Sequence, residues 1–235
     1  MRVLALIVSA GLGTRFKSNI PKQFIEVFGK PLIFYTLKVF EDSEVIDDIL
    51  LVVPQNYIEY SKNLVEKFKL NKVKWIIPGG EKRQDSVFCG LKFLMNNNIV
   101  PDILTIHDGV RPLISKDLIK ESVEKAKKFG AVVLAVPAVD TIKIVKDNFV
   151  QSTLNRKILW CAQTPQTFKY EIIKRAYIEA YSKNFYTTDD SSLVEKAGFP
   201  VYIICGAYKN IKITTEVDLE LFKILLKNDK SRHWI

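Results

Sequence analysis

The chain predicts an α/β fold, a mostly parallel twisted sheet with helices on both faces and a β-arm that protrudes from it. Three observations carry this expectation. Short β-branched apolar runs alternate with segments of helical period as far as Val136; a glycine-bearing turn follows the first run directly; and beyond Val136 two alternating segments flank Asp147-Asn148. At 235 residues with 48% apolar content the chain can bury a full core, and one domain over 1–235, with the arm at about 138–160, is the expected organisation.

The elements follow in order. Residues 3–8 read as a buried strand and not as a leader peptide, because the run ends at Ser9 and then turns glycine-rich and cationic. Helical period predicts helices over 31–41, 58–68, 85–95 and 116–129. Apolar runs predict strands over 49–53, 73–77, 103–106, 131–136 and, later, 201–204. Ligands of such sheets collect beyond the carboxyl ends of the strands, which gathers 9–22, 78–86 and 107–112 on one rim. Thr141 to Val145 alternates with polar residues, Asp147-Asn148 suits a hairpin turn, and Phe149 to Leu154 returns. A lone hairpin is barely stable in water, so the arm is expected to pack on a second subunit and make a homodimer.

Composition narrows the function. The net charge of +9 arises from lysines spread over helix surfaces, as in 121–128, with no arginine-rich tract and no aromatic-basic interleaving. No nucleic-acid partner is therefore expected. No apolar stretch is long enough to span a bilayer, so no membrane is expected either. Cys89, Cys161 and Cys205 are odd in number and scattered, which suits buried, reduced thiols in a cytoplasmic protein better than disulfides or a zinc site.

The chemistry is concentrated on the rim. Gly11 and Gly13 let the main chain approach a polyphosphate, while Arg15 can fork onto phosphate oxygens and Lys22 supplies a mobile point charge. Together they can grip a triphosphate and stabilise the charge that builds as it is cleaved. A dinucleotide fingerprint lacks its third glycine, and Leu51-Val52-Val53-Pro54-Gln55 carries no ribose-binding acid; a Walker loop lacks its Gly-Lys-Ser/Thr. A tight turn with no ligand is the remaining alternative. Gly79-Gly80 can meet the edge of a base, with the Ser86 hydroxyl beside it and Arg83 near a phosphate, although Asp85 or Ser86 can equally cap the helix. Asp108 closes a strand where a carboxylate can hold Mg²⁺ directly or through water, or can simply shape a turn, and Arg111 is a second phosphate-ligand candidate. Thr188 leads into Asp189-Asp190, where an N-cap is at least as good a reading as a ligand. Asn210 to Thr214 alternates like an edge strand and sets Lys212 among apolar neighbours, for phosphate binding or against edge aggregation.

Ala10-Gly11-Leu12-Gly13-Thr14-Arg15, Pro21-Lys22-Gln23, Gly79-Gly80 with Arg83-x-Asp85-Ser86-Val87, and His107-Asp108 with Arg111-Pro112 occur in order along nearly the whole chain. So do Asp140-Thr141-x-Lys143, Arg156 with Trp160-x-x-Gln163-Thr164-Pro165-Gln166, Thr188-Asp189-Asp190 and Asn210-Ile211-Lys212. This order resembles the 2-C-methyl-D-erythritol 4-phosphate cytidylyltransferases of the non-mevalonate isoprenoid pathway. The resemblance implies a Rossmann-like nucleotidyltransferase fold and the use of CTP, a polyol phosphate and Mg²⁺. It implies that Arg15 and Lys22 stabilise the transition state at the α-phosphorus, and that Lys212 and a partner subunit's copy of Arg156 position the acceptor phosphate. Arg111, Thr141 and Thr188 would complete that pocket, Asp108 would meet the metal and the ribose-phosphate side, and Ala10, Gly11, Gly80 and Ser86 would read cytosine. Asn155 stands where many relatives carry an acid, and Gly109-Val110 where they often carry two alanines. A ribitol-5-phosphate cytidylyltransferase is the alternative on the same scaffold; a non-catalytic nucleotide- or RNA-binding module is the alternative from another class.

Overall fold

The computed structural model describes residues 1–11 and 20–229. Its elements are β1 (Val3–Val8), β2 (Glu26–Val27), β3 (Lys30–Pro31), α1 (Leu32–Glu41), β4 (Asp48–Val53), α2 (Ile58–Lys67), β5 (Val73–Pro78) and α3 (Arg83–Asn96). They continue as β6 (Ile103–Asp108), α4 (Lys116–Phe129), β7 (Ala131–Pro137), β8 (Lys143–Lys146), β9 (Phe149–Thr153) and β10 (Trp160–Lys169). The last are α5 (Tyr170–Ser182), α6 (Asp190–Lys196), β11 (Tyr202–Cys205) and α7 (Glu216–Asn228).

Seven strands form one sheet in the order β11-β7-β10-β6-β1-β4-β5. All of its pairings are parallel except those of β10, which runs antiparallel to both β6 and β7. All six residues of β1 are buried, as a central strand covered on both faces requires. The pleat divides them. Val3, Ala5 and Ile7 join Ile49, Leu51 and Val53 against α1, α2 and α4, whereas Leu4, Leu6 and Val8 join Leu50 and Val52 against α3, α5 and α6. A third cluster packs Phe222 and Leu226 of α7 onto Tyr35 and Leu32. Helix α4 ends as its sequence implies, with the Ser115 hydroxyl accepting from Leu118 N at its start and Gly130 at φ +88° closing it.

The arm forms where it is expected. Strands β8 and β9 pair only with each other, every one of their residues is exposed, and Asp147 and Asn148 both take positive φ (50° and 65°), as a tight hairpin turn requires. One expectation is corrected. The segment from Asn210 to Thr214 is not a strand: it crosses the carboxyl ends of the sheet, held by Ile213 N to Val110 O (2.9 Å) and by Asn210 Nδ2 to Thr164 O (2.9 Å). Its alternation reflects Ile213 dropping into the third cluster, not ladder pairing. Strand β10, rich in Gln and Thr and interrupted by Pro165, has no apolar run to announce it and is not among the expected strands, yet it lies inside the sheet between β7 and β6.

Candidate active site

Strands β1, β4, β5 and β6 end on the same rim, tied there by Ser9 N to Val52 O (2.8 Å), Gly79 N to Val53 O (2.9 Å) and Gly109 N to Val8 O (2.8 Å). A cavity of about 600 Å³ opens above them. Ala10 and Gly11 from the end of β1 line it, as do Gly80, Arg83 and Ser86 from the start of α3. Lys22, Asp108 and Lys212 complete its cationic end. Gly13 and Arg15 lie outside the described residues.

The loop after β1 is shaped by Gln23, whose buried amide donates from Nε2 to Ser9 O (2.6 Å) and Gly11 O (3.1 Å). Lys22 begins the short 3-10 turn Lys22–Phe24 between buried Pro21 and Phe24, and the Phe24 ring stacks on Tyr57 with centroids 4.4 Å apart. The ammonium is thus carried on backbone that is fixed at both sides. At the second loop, Gly80 N donates to Ser86 Oγ (3.2 Å), while Asp85 accepts from Lys82 N (3.0 Å), so capping and loop shaping coexist there. A Cβ on Gly79 would fall 2.2 Å from Ala10 Cβ and 2.7 Å from Ser86 Oγ, so the two loops can meet only through a glycine. Gly109 is likewise fitted, because a Cβ there would fall 2.7 Å from Ser9 Oγ. Asn155, the other departure from the usual pattern, accepts from Lys157 N and caps the turn that carries Arg156.

Asp108 is the electrostatic centre. Arg83 Nε donates to its Oδ1 (2.7 Å), while Lys212 Nζ (2.9 Å) and Arg111 Nε (3.5 Å) face its Oδ2. Burial alone would raise the carboxyl; the charges of Arg83, Lys212 and Arg111 outweigh burial and hold it well below the ordinary carboxylate range. Arg111 sits behind the cavity wall, its Nη1 donating to Asn210 O (2.9 Å), and thereby ties the Lys212 segment to the end of β6. Arg83, expected at a phosphate, lines the cavity with three of its five N–H groups already on carboxylates, since besides Nε its Nη1 and Nη2 reach Asp190 Oδ1 (3.1 Å) and Oδ2 (2.8 Å). Thr141, Arg156 and Thr188 are exposed and do not line this cavity. Arg156 donates to Val139 O (2.5 Å) at the root of the arm. Asp189, beside Thr188, caps α6 by accepting from Ser192 N.

His107, which the sequence offers as a hydrogen-bonded structural histidine, is buried beneath the site in that role. Arg111 O can only accept, so His107 donates to it from Nε2–H (3.1 Å), Nδ1 of the neutral ring accepts from the Thr164 hydroxyl (3.0 Å), and Thr164 Oγ1 in turn accepts from Asp108 N (3.1 Å). Burial lowers this imidazole from the ordinary 6.5 to about 3. Between those values the unfolded chain binds a proton that the folded chain does not, so stability is retained above 6.5 and lost as pH falls toward 3. Urea midpoints are expected to fall between pH 7 and pH 5 by the equivalent of about 2 kcal/mol, and a His107→Gln variant should lack that increment. An equal fall in the variant would contradict the assignment.

A mostly parallel α/β sheet with a glycine-loop cavity ringed by cations at its carboxyl rim defines a nucleotide-polyphosphate-binding class. Comparison narrows the class. The profile of the family described as IspD: 2-C-methyl-D-erythritol 4-phosphate cytidylyltransferase matches residues 3–228. A protein of that name from Geotalea uraniireducens is 44% identical over 98% of this chain and 99% of its own, and one from Clostridioides difficile is 44% identical over 96% and 94%. A crystal structure of 4-diphosphocytidyl-2C-methyl-D-erythritol synthase from Anaerococcus prevotii superposes with a TM-score of 0.82 at 32% identity, covering 96% of this chain and 98% of that one. The Francisella tularensis 2-C-methyl-D-erythritol 4-phosphate cytidylyltransferase gives 0.80 at 31%, covering 95% and 99%. The chain belongs to the 2-C-methyl-D-erythritol 4-phosphate cytidylyltransferase family.

Proposed function

We propose that this protein joins CTP and 2-C-methyl-D-erythritol 4-phosphate to give 4-diphosphocytidyl-2-C-methyl-D-erythritol and pyrophosphate. The family membership supports the reaction, and the cavity supplies groups suited to it. A phosphate oxygen of the acceptor attacks the α-phosphorus of CTP in line; the bond from that phosphorus to the β-phosphate oxygen breaks, and pyrophosphate leaves. A phosphate monoester is already a nucleophile at neutral pH, so no general base is required, and catalysis reduces to positioning and charge neutralisation. Lys22, with Arg15, stabilises the charge at the α-phosphorus. Lys212, backed by Arg111, holds the acceptor phosphate, and the glycine loops around Gly11 and Gly80 take the nucleoside. Relatives bearing this activity's name favour it over ribitol 5-phosphate as acceptor. Pyrophosphate release with CTP and each acceptor in parallel tests the choice: turnover with ribitol 5-phosphate alone would move the protein to that activity.

Among the described residues no group of three His, Cys, Asp or Glu forms a metal site. That suits a Mg²⁺ that arrives with the triphosphate, held by phosphate oxygens and water, with Asp108 as its protein carboxylate, through water because three cations already occupy it. When bound, the metal neutralises charge on the triphosphate.

The arm supports a homodimer, because its Phe149 and Ile158 are each 74% exposed. A partner subunit covers these side chains and receives Arg156 at its acceptor pocket, which accounts for the absence of Arg156 from the cavity of its own chain. Sedimentation is expected to show a dimer, and Phe149→Asp should yield a monomer of low activity; a fully active monomer would contradict donation across the interface. No helix of the described residues is long and apolar enough to cross a membrane; the three cysteines are free, which suits the reducing cytoplasm, but they are not buried as expected, Cys161 and Cys205 being exposed.

A further inference from the structure

We infer that Asp190 is a positioning residue for the acceptor end of the site, acting through Arg83 and Asp108 on Lys212. The inference rests on the reaction proposed above. Asp190 opens α6, Arg83 opens α3 and Asp108 closes β6, so the relay joins three elements, and its first two members lie far apart in sequence. Asp190 is fully buried and takes the Arg83 guanidinium in a two-point fork, while the buried Tyr177 hydroxyl donates to the same carboxylate at 2.5 Å.

A fork of this kind fixes the plane of the guanidinium as well as its position. With that plane fixed, Nε points at Asp108 Oδ1, and Oδ2 is left for Lys212 and Arg111. A buried ion pair gives little net stability, since desolvation offsets most of its attraction. Its structural consequence here is orientation. Without the Asp190 charge, Arg83 has Asp108 as its remaining carboxylate, competes for Oδ2, and displaces Lys212 from the cavity wall.

The test uses the full-length protein. Asp190→Asn keeps the side-chain shape and removes the charge. Two readouts are followed: acetylation of Lys212 by limiting acetic anhydride, measured by mass spectrometry relative to the other lysines, and the kinetics of each substrate. Lys212 acetylation in the substrate-free variant is expected to rise about fivefold, because its ammonium is no longer held by Asp108. The acceptor kcat/KM is expected to fall about tenfold while the KM for CTP stays within about threefold, and in a Lys212→Ala background the acceptor loss should shrink below about twofold. A role confined to holding α3 against α6 would move neither the acetylation nor the acceptor-selective split. Unchanged Lys212 acetylation in folded Asp190→Asn overturns the inference, and so does an equal acceptor loss with and without Lys212. Should Asp190→Asn fail to fold, Tyr177→Phe serves instead: a rise of about threefold in acetylation supports the relay and no rise overturns it. Wild-type protein that fails to use the acceptor would refute the proposed reaction, while the acetylation readout would still decide the relay.

Discussion

Replacing Lys22 with alanine is expected to lower kcat for cytidylyl transfer by about 10²-fold or more, with a smaller change in the KM for CTP. The reason lies in where the charge is needed. Negative charge accumulates around the α-phosphorus only as the acceptor oxygen approaches, so a cation aimed there stabilises the transition state more than bound CTP. Lys22 suits that task because its backbone does not have to be organised during the reaction. Gln23 bonds the glycine loop on one side, and the Phe24 ring is stacked on the other. Steady-state kinetics of Lys22→Ala decide the matter, and a kcat equal to that of the parent would remove Lys22 from the mechanism.

Asp108→Ala is expected to damage both stability and activity. The carboxylate is 7% exposed and faces Arg83, Arg111 and Lys212, whose side chains are 24%, 12% and 36% exposed. Deleting one partner of a buried charge cluster leaves the others uncompensated, which typically costs about 3–5 kcal/mol. Arg83 retains Asp190, which places the expected loss toward the lower end of that range. Activity should fall further than stability alone explains, because Lys212 loses the group that holds it at the cavity wall. Denaturant unfolding at pH 7 measures the first effect and acceptor kcat/KM the second. A variant as stable as the parent would mean that the three cations do not depend on this carboxylate.

The sequence announces its local features well. The run Val3–Val8 is buried on both faces as its uninterrupted apolar character implies, and the helix Lys116–Phe129 starts at its serine cap and ends at its glycine. Asp147-Asn148 likewise turns with the positive φ values that these residue types tolerate. The Gly79-Gly80 loop is legible for the same reason: its close approach to Ala10 and Ser86 demands a residue without a Cβ.

What could not be read is what depends on distant partners. Strand β10 is held between β6 and β7 by its neighbours, so its sequence needed no apolar run of its own. Lys212 lies on a crossing loop and not an edge strand, because side-chain bonds from Asn210 stand in for a ladder. Arg83 carries the plainest lesson. As an arginine after a glycine pair it reads as a phosphate ligand, and the two carboxylates that orient its guanidinium are ones its local sequence does not specify. Asp189-Asp190 reads in sequence as a cap or as a ligand; Asp189 is the cap, and Asp190 turns inward to Arg83 and Tyr177.

Phosphorus NMR of the reaction of CTP with 2-C-methyl-D-erythritol 4-phosphate and Mg²⁺ tests the central claim most directly. Attack by the acceptor phosphate on the α-phosphorus predicts two coupled resonances of a new diphosphate linkage, growing in step with pyrophosphate. Release of CMP with no new linkage, or pyrophosphate that forms equally well without the acceptor, would contradict it.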